Sequence, residues 1–124
     1  MECIFCKKYN FNIICENNLA YAIYDKYPVN KGHILVIPNR HVDNFFYLND
    51  NEIKAIFNLL KKTKSILNNK YNPDAYNIGI NIGKYAGQTI NHVHIHLIPR
   101  YKGDIDNPAG GVRKLIKELV PYDG

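Results

Sequence analysis

Between positions 92 and 96 the chain alternates imidazole and aliphatic side chains, His92-Val93-His94-Ile95-His96, and it continues through Leu97-Ile98-Pro99. In an extended strand successive side chains point to opposite faces. The three histidines therefore share one face, and Val93, Ile95 and Leu97 share the other. The aliphatic face can be buried against a core. The imidazole face has to be solvated, hydrogen-bonded, bound to metal or engaged in chemistry, because unpaired buried imidazoles are costly. Three readings follow for it: a chelating metal site, an imidazole nucleophile, or a polar face in solvent.

The rest of the pattern sets a frame around this strand. Residues 13–15 and 19–24 are short apolar stretches joined by Glu16-Asn17-Asn18, which predicts a hairpin. Residues 33–38 form a further strand that Pro38 ends. Asn49-Asp50-Asn51-Glu52 supplies capping side chains, after which Ile53, Ile56, Phe57, Leu60 and Leu67 recur at helical spacing. Asn72-Pro73-Asp74 breaks that helix, and Tyr76, Ile78, Ile80 and Ile82 alternate as a half-buried strand. Residues 83–87 read as a turn, 90–98 as the histidine strand and 112–120 as a short amphipathic helix. The expected fold is α+β over residues 1–124 as one domain: an antiparallel sheet of about five strands, one long helix and one short helix.

Composition narrows the class. With 46% hydrophobic and 22% charged residues, the 124-residue chain suits a globular core rather than disorder or a coiled coil. Its apolar runs are too short for a membrane span. It opens on Met1-Glu2-Cys3 without a leader-like segment and has three cysteines, so a reducing, cytoplasmic setting without disulfides is expected. The net charge is +5, yet the lysines are scattered, and Lys61, Lys62 and Lys64 fall on one helix. A solvated face explains them better than nucleic-acid binding, and a basic surface also suits small anionic substrates.

The residues just before the triad favour a phosphate. Asn81, Gly83 and Gly87-Gln88-Thr89 put glycines and neutral donors a few positions upstream. Glycines allow close backbone approach, and successive N–H groups in a turn can cradle an anion.

The stretch Gly87-Gln88-Thr89-Ile90-Asn91-His92-Val93-His94-Ile95-His96-Leu97-Ile98-Pro99-Arg100 resembles the signature of the histidine triad (HIT) superfamily of nucleotide hydrolases and transferases. Cys3-Ile4-Phe5-Cys6, Lys31-Gly32-His33-Ile34-Leu35-Val36-Ile37-Pro38 and the residues from Gly103 to Arg113 extend the likeness over most of the chain, as in zinc-binding prokaryotic members. The resemblance implies that His94 is a nucleophile toward the α-phosphorus of a nucleotide, forming a nucleotidyl-imidazole intermediate. It implies that His96 holds the phosphate and assists the leaving group, with His33 beside the triad. Asn81, Gly87, Gln88 and Thr89 are then phosphate-side residues, and Asp25 bonds the ribose hydroxyls. Apolar residues near Phe5, Ile23 and Ile37 are expected to receive the base.

The same resemblance implies a structural zinc ion on Cys3, Cys6, His41 and His92, which removes the first triad histidine from catalysis. Cys15 is left as a small packing residue. The implied substrate is a dinucleoside polyphosphate or an AMP derivative. Phosphoramidate cleavage and phosphorolysis are the alternatives at the same nucleophile. A homodimer is implied by resemblance alone. Two further rivals are a nucleotide-binding module without turnover and a zinc-hydroxide hydrolase using all three triad histidines as ligands.

Overall fold

A computed structural model describes residues 2–116. Five strands form one antiparallel sheet: β1 (Cys15–Glu16), β2 (Ala20–Tyr24), β3 (Ile34–Pro38), β4 (Ala75–Ile80) and β5 (Ile95–Arg100). Their spatial order is β1-β2-β3-β5-β4. The histidine strand is therefore flanked on both sides, with Leu35 opposite His96 in β3 and Gly79 opposite His96 in β4. Because β3 and β4 both pair with β5, the long helix α1 (Asp50–Tyr71) is a crossover that returns the chain to the far side of β5.

Helix α1 starts where the capping residues lie. Asn49 accepts from the Glu52 backbone N–H at 2.9 Å, and Glu52 accepts from the Asn49 N–H at 3.0 Å, closing a reciprocal cap. The buried face runs through Glu52, Ala55, Ile56, Leu59, Thr63 and Leu67. It packs on Ala20, Ala22, Ile34, Val36, Ile95 and Leu97 of the sheet and on Val93 just before β5. Val93, Ile95 and Leu97 thus fill the core as their alternation requires. A second cluster on the opposite face of the sheet joins Phe5, Tyr21, Ile23, Leu35 and Ile37.

Five expectations shift. The predicted stripe on α1 is rotated: Ile53 and Phe57 are 37% and 57% exposed, while Glu52 and Thr63 are buried. Glu52 tolerates burial because Arg40 binds both of its carboxylate oxygens, at 2.8 and 3.0 Å. Thr63 returns its hydroxyl to the Leu59 carbonyl at 2.8 Å. The strand predicted over 90–98 pairs only from Ile95, since the Val93 N–H is taken by the Val42 carbonyl. The strand predicted over 13–15 shrinks to β1, and Ile82 lies beyond β4. The predicted helix 112–120 is a 3₁₀ turn at Gly111–Leu115, followed by an extended Ile116; positions 117–120 lie outside the described residues. Among the described residues no helix is long and apolar enough to cross a membrane.

Candidate functional site

The hydrogen bonds of each histidine decide which ring nitrogen keeps its proton, and this makes the three alike in sequence but different in chemistry. His94 has Nδ1 at 2.8 Å from the His92 carbonyl. A carbonyl only accepts, so Nδ1 carries the proton and Nε2 keeps a lone pair. His94 is 9% exposed and stands in the wall of a cleft of about 710 Å³.

His96 takes the opposite tautomer. The Val29 N–H points at His33 Nδ1 from 3.0 Å, so the proton of a neutral His33 is on Nε2. That Nε2–H lies 2.9 Å from His96 Nδ1 and 3.4 Å from Asp25 Oδ2. His96 Nδ1 therefore accepts, and its Nε2 donates toward the cleft, which His96 also lines. Burial, helped by the neighbouring His94 and His33 and opposed by Asp25, pushes His96 down to about 4. Burial likewise lowers His33 against the pull of Asp25. The pair is neutral near pH 7. Asp25, His33 and His96 have ligating atoms close enough to suggest a metal. A metal on His33 Nε2 would need the proton on Nδ1, where the Val29 N–H already points, so this cluster is arranged to hold protons.

His92 is turned away from both. It is fully buried, and its Nε2–H donates to the Pro38 carbonyl at 2.7 Å. Its Nδ1 lone pair faces Cys3 Sγ at 3.3 Å, Cys6 Sγ at 3.6 Å and His41 Nδ1 at 3.3 Å, and Cys6 Sγ is 3.2 Å from His41 Nδ1. A tetrahedral zinc ion sets its ligands about 3.3 Å apart for two nitrogens and about 3.6 Å apart for nitrogen and sulfur. All four ligand atoms lie within 4.8 Å of one another. Two thiols and two imidazoles in this spacing fit a structural zinc ion. Cys15 is free, half-buried and packed against the helix-side core.

The upstream loop differs from expectation in one respect. It turns at Gly87, where φ of +95° favours glycine, and the N–H groups of Ala86, Gly87 and Gln88 are all spent on carbonyls at positions 83 and 84. They do not form an anion cradle. Gln88 is also drawn inward: its oxygen accepts from Gly83 N–H at 2.9 Å, and its amide donates to the Asp43 and Ile90 carbonyls at 2.8 and 3.1 Å. It braces the loop and does not line the cleft. Asn81, Gly87 and Thr89 do line it, and the Asn81 and Thr89 side chains make no hydrogen bond within the described residues.

Asp25 borders the cleft while contacting the His33–His96 pair, and its other oxygen accepts from the Tyr27 N–H at 2.8 Å. The apolar end of the cleft is formed by Ile4, Phe5, Phe11, Ile23, Leu35 and Ile90. Ile37, expected near the base, lies buried beneath this surface. Sequence reasoning missed the roles of Val29 and Pro38, whose backbone groups set two tautomers; nothing in their side chains signals this.

The HIT domain family matches residues 7–103. Over 106 residues the chain is 44% identical to an uncharacterised HIT-like protein of Methanocaldococcus jannaschii, covering 82% of this chain and 81% of that protein. It is 41% identical over 105 residues to an adenosine 5'-monophosphoramidase of Schizosaccharomyces pombe, covering 81% and 75%. It is 33% identical over 111 residues to the AP-4-A phosphorylase of Mycobacterium tuberculosis, covering 87% of this chain but 56% of that protein. Among solved structures, a HIT family protein from Bacillus anthracis superposes with a TM-score of 0.76 at 38% identity, covering 81% and 74%. A zinc-bound histidine triad family protein from Mycobacterium smegmatis does so with 0.75 at 30% identity, covering 84% and 78%.

Proposed function

Because the chain belongs to the HIT family, we propose that this nucleotide hydrolase cleaves its substrate at the α-phosphate through a nucleotidyl intermediate on His94. The observation that carries the reading is the Nδ1 bond of His94 to the His92 carbonyl, which leaves Nε2 unprotonated in the cleft wall. His94 Nε2 attacks the α-phosphorus, a P–N bond forms, and the bond from phosphorus to the leaving group breaks with its electron pair. His96 Nε2–H donates to the departing atom or to a phosphate oxygen as charge develops there. Asn81 and Thr89 offer further donors to the phosphate, with Gly87 allowing close approach. Asp25 faces the ribose end, and Phe5, Ile23 and Leu35 border the base. In the second step water attacks the same phosphorus, the P–N bond breaks, and a nucleoside monophosphate and one proton are released.

Dinucleoside polyphosphates are the proposed substrate class. Their leaving group departs as an anion and needs no proton from a pair that burial keeps neutral. The second reading, hydrolysis of an AMP–amine bond, is favoured by the 41% identity to the S. pombe phosphoramidase. Phosphorolysis in place of hydrolysis has the M. tuberculosis relative behind it, although this chain spans little more than half of that protein.

Cys3, Cys6, His41 and His92 are the proposed zinc ligands. Zinc bound there supplies a cross-link between the N-terminal turn and the segment before β5. Coordination by reduced cysteines fits a cytoplasmic setting. We further take residues 1–124 as one domain that pairs as a homodimer.

The test is replacement of His94 by Asn. Turnover of diadenosine polyphosphates and of adenylate phosphoramidates falls at least about a thousandfold, and the mass of a trapped nucleotidyl adduct disappears. AMP affinity and zinc content stay near wild type. Retained turnover sinks the mechanism; lost zinc sinks the division of roles between His92 and His94.

A further inference from the structure

Phe5 lies in the 3₁₀ turn Ile4–Cys6, between two of the metal donors, and its ring is 3% exposed. It meets the His94 ring at 5.2 Å between centroids with an interplanar angle of 62°, and the His92 ring at 6.0 Å and 86°. One side chain thus touches both the buried metal donor and the nucleophile. We infer that Phe5 is a positioning residue for His94, through which the Cys3–Cys6 turn governs the alignment of the nucleophile.

A hydrogen bond from Nδ1 fixes one point of the His94 ring and leaves its tilt free. Tilt matters, because in-line attack requires the Nε2 lone pair to point along the bond to phosphorus. Two edges set it. The His96 ring lies on one flank at 5.3 Å and 66°, and Phe5 supplies another. Phe5 can do this only if its own backbone is held. Its carbonyl accepts the Tyr21 hydroxyl at 2.5 Å, and the Cys6 N–H bonds the Cys3 carbonyl at 3.1 Å across it. The turn is three residues long and has no side-chain cap. Beyond the packing of Phe5 on Tyr21, Ile23, Leu35 and Ile37, its remaining ties run through sulfur: Cys3 to His92 and Cys6 to His41 and His92. A metal on those sulfurs stiffens the turn, the turn seats Phe5, and Phe5 holds His94.

The inference rests on His94 being the nucleophile, and the experiment separates the two. Single-turnover nucleotidylation, AMP dissociation constant and zinc per chain are measured for Phe5→Leu, Cys6→Ser and the double variant. Phe5→Leu is expected to slow nucleotidylation by roughly tenfold or more beyond whatever AMP affinity it loses at the base wall, with zinc content unchanged. Cys6→Ser slows it as well, and the double variant is no slower than the slower single variant, because both act through one contact. Multiplying losses in the double variant overturn the coupling. A rate loss matched by an equal loss of AMP affinity also overturns it, since Phe5 would then be only a wall of the base site. Should Phe5→Leu fail to fold, the wild type decides through histidine ¹⁵N spectra. The His94 Nδ1–H resonance shifts or broadens when zinc is chelated and recovers when it is restored; an unchanged resonance refutes the inference. Wild-type nucleotidylation by His94→Asn removes the nucleophile reading by itself, whatever the Phe5 variants do.

Discussion

At the scale of single residues, the site is a set of proton assignments made by neighbours. Three backbone groups, the Pro38 and His92 carbonyls and the Val29 N–H, sort four of the five histidines into the proposed metal donor His92, the proposed nucleophile His94 and the proton-holding pair His33–His96. On the proposed mechanism the His33–His96 pair distinguishes two leaving groups. A polyphosphate leaves as an anion, whereas an amine must gain a proton, which only the cationic form of the pair can supply. Burial pushes His96 down to about 4 from an ordinary 6.5, so the cationic fraction rises as pH falls through the range above 4. The ratio of kcat/KM for an adenylate phosphoramidate to that for a diadenosine polyphosphate should therefore climb steadily from pH 8 to pH 5. Both substrates meet the same proposed nucleophile, so its contribution cancels in the ratio, and kcat/KM reports the free enzyme. A flat ratio over that range would show that the pair does not protonate the leaving group. The alternation of histidines was legible in the sequence. Their inequality was not, because it depends on main-chain groups 2 to 54 positions away.

At the scale of elements, the frame was read well where period and caps agree, and less well where polar residues are buried. Asn49 and Glu52 mark the start of α1, and Asn72 in the left-handed conformation marks its end. The phase of its buried stripe was misjudged because Glu52 and Thr63 look like surface residues. Their partners, Arg40 and the Leu59 carbonyl, make them interior. Gln88 misled in the same way: a donor in a glycine loop suggests a ligand, and here it is consumed by the loop itself. The loop between β2 and β3, which packs against the end of α1, depends on Gly32, at φ +89°. A Cβ there would lie 3.0 Å from both Leu67 and Tyr71 and 3.2 Å from Pro99. Gly32→Ala combines strained backbone with overpacking, so a loss of about 1–3 kcal/mol is expected in chemical denaturation. Turnover should fall with it, since His33 follows directly. Stability within about 0.5 kcal/mol of wild type would mean that the loop moves freely.

At the scale of the molecule, the sheet ends in two unequal edges. The β1 edge is two residues long, while β4 presents six residues with Ile78 52% exposed. A long edge strand with an apolar side chain is a template for pairing with another chain. The proposed homodimer would join two such edges into a continuous sheet. Light scattering at micromolar concentration should then give twice the 14.3 kDa chain mass, and Ile78→Lys should shift the species toward one chain. A wild-type mass of one chain removes this arrangement.

The pairing of Cys3 with His92 joins positions 89 apart. During synthesis the two cysteines emerge long before either histidine, at about 5–20 residues per second. For roughly 5–20 s each new chain carries a bare dithiol, open to any soft metal or oxidant that reaches it first. The order in which the proposed ligands are made thus sets which of them an incoming ion meets first.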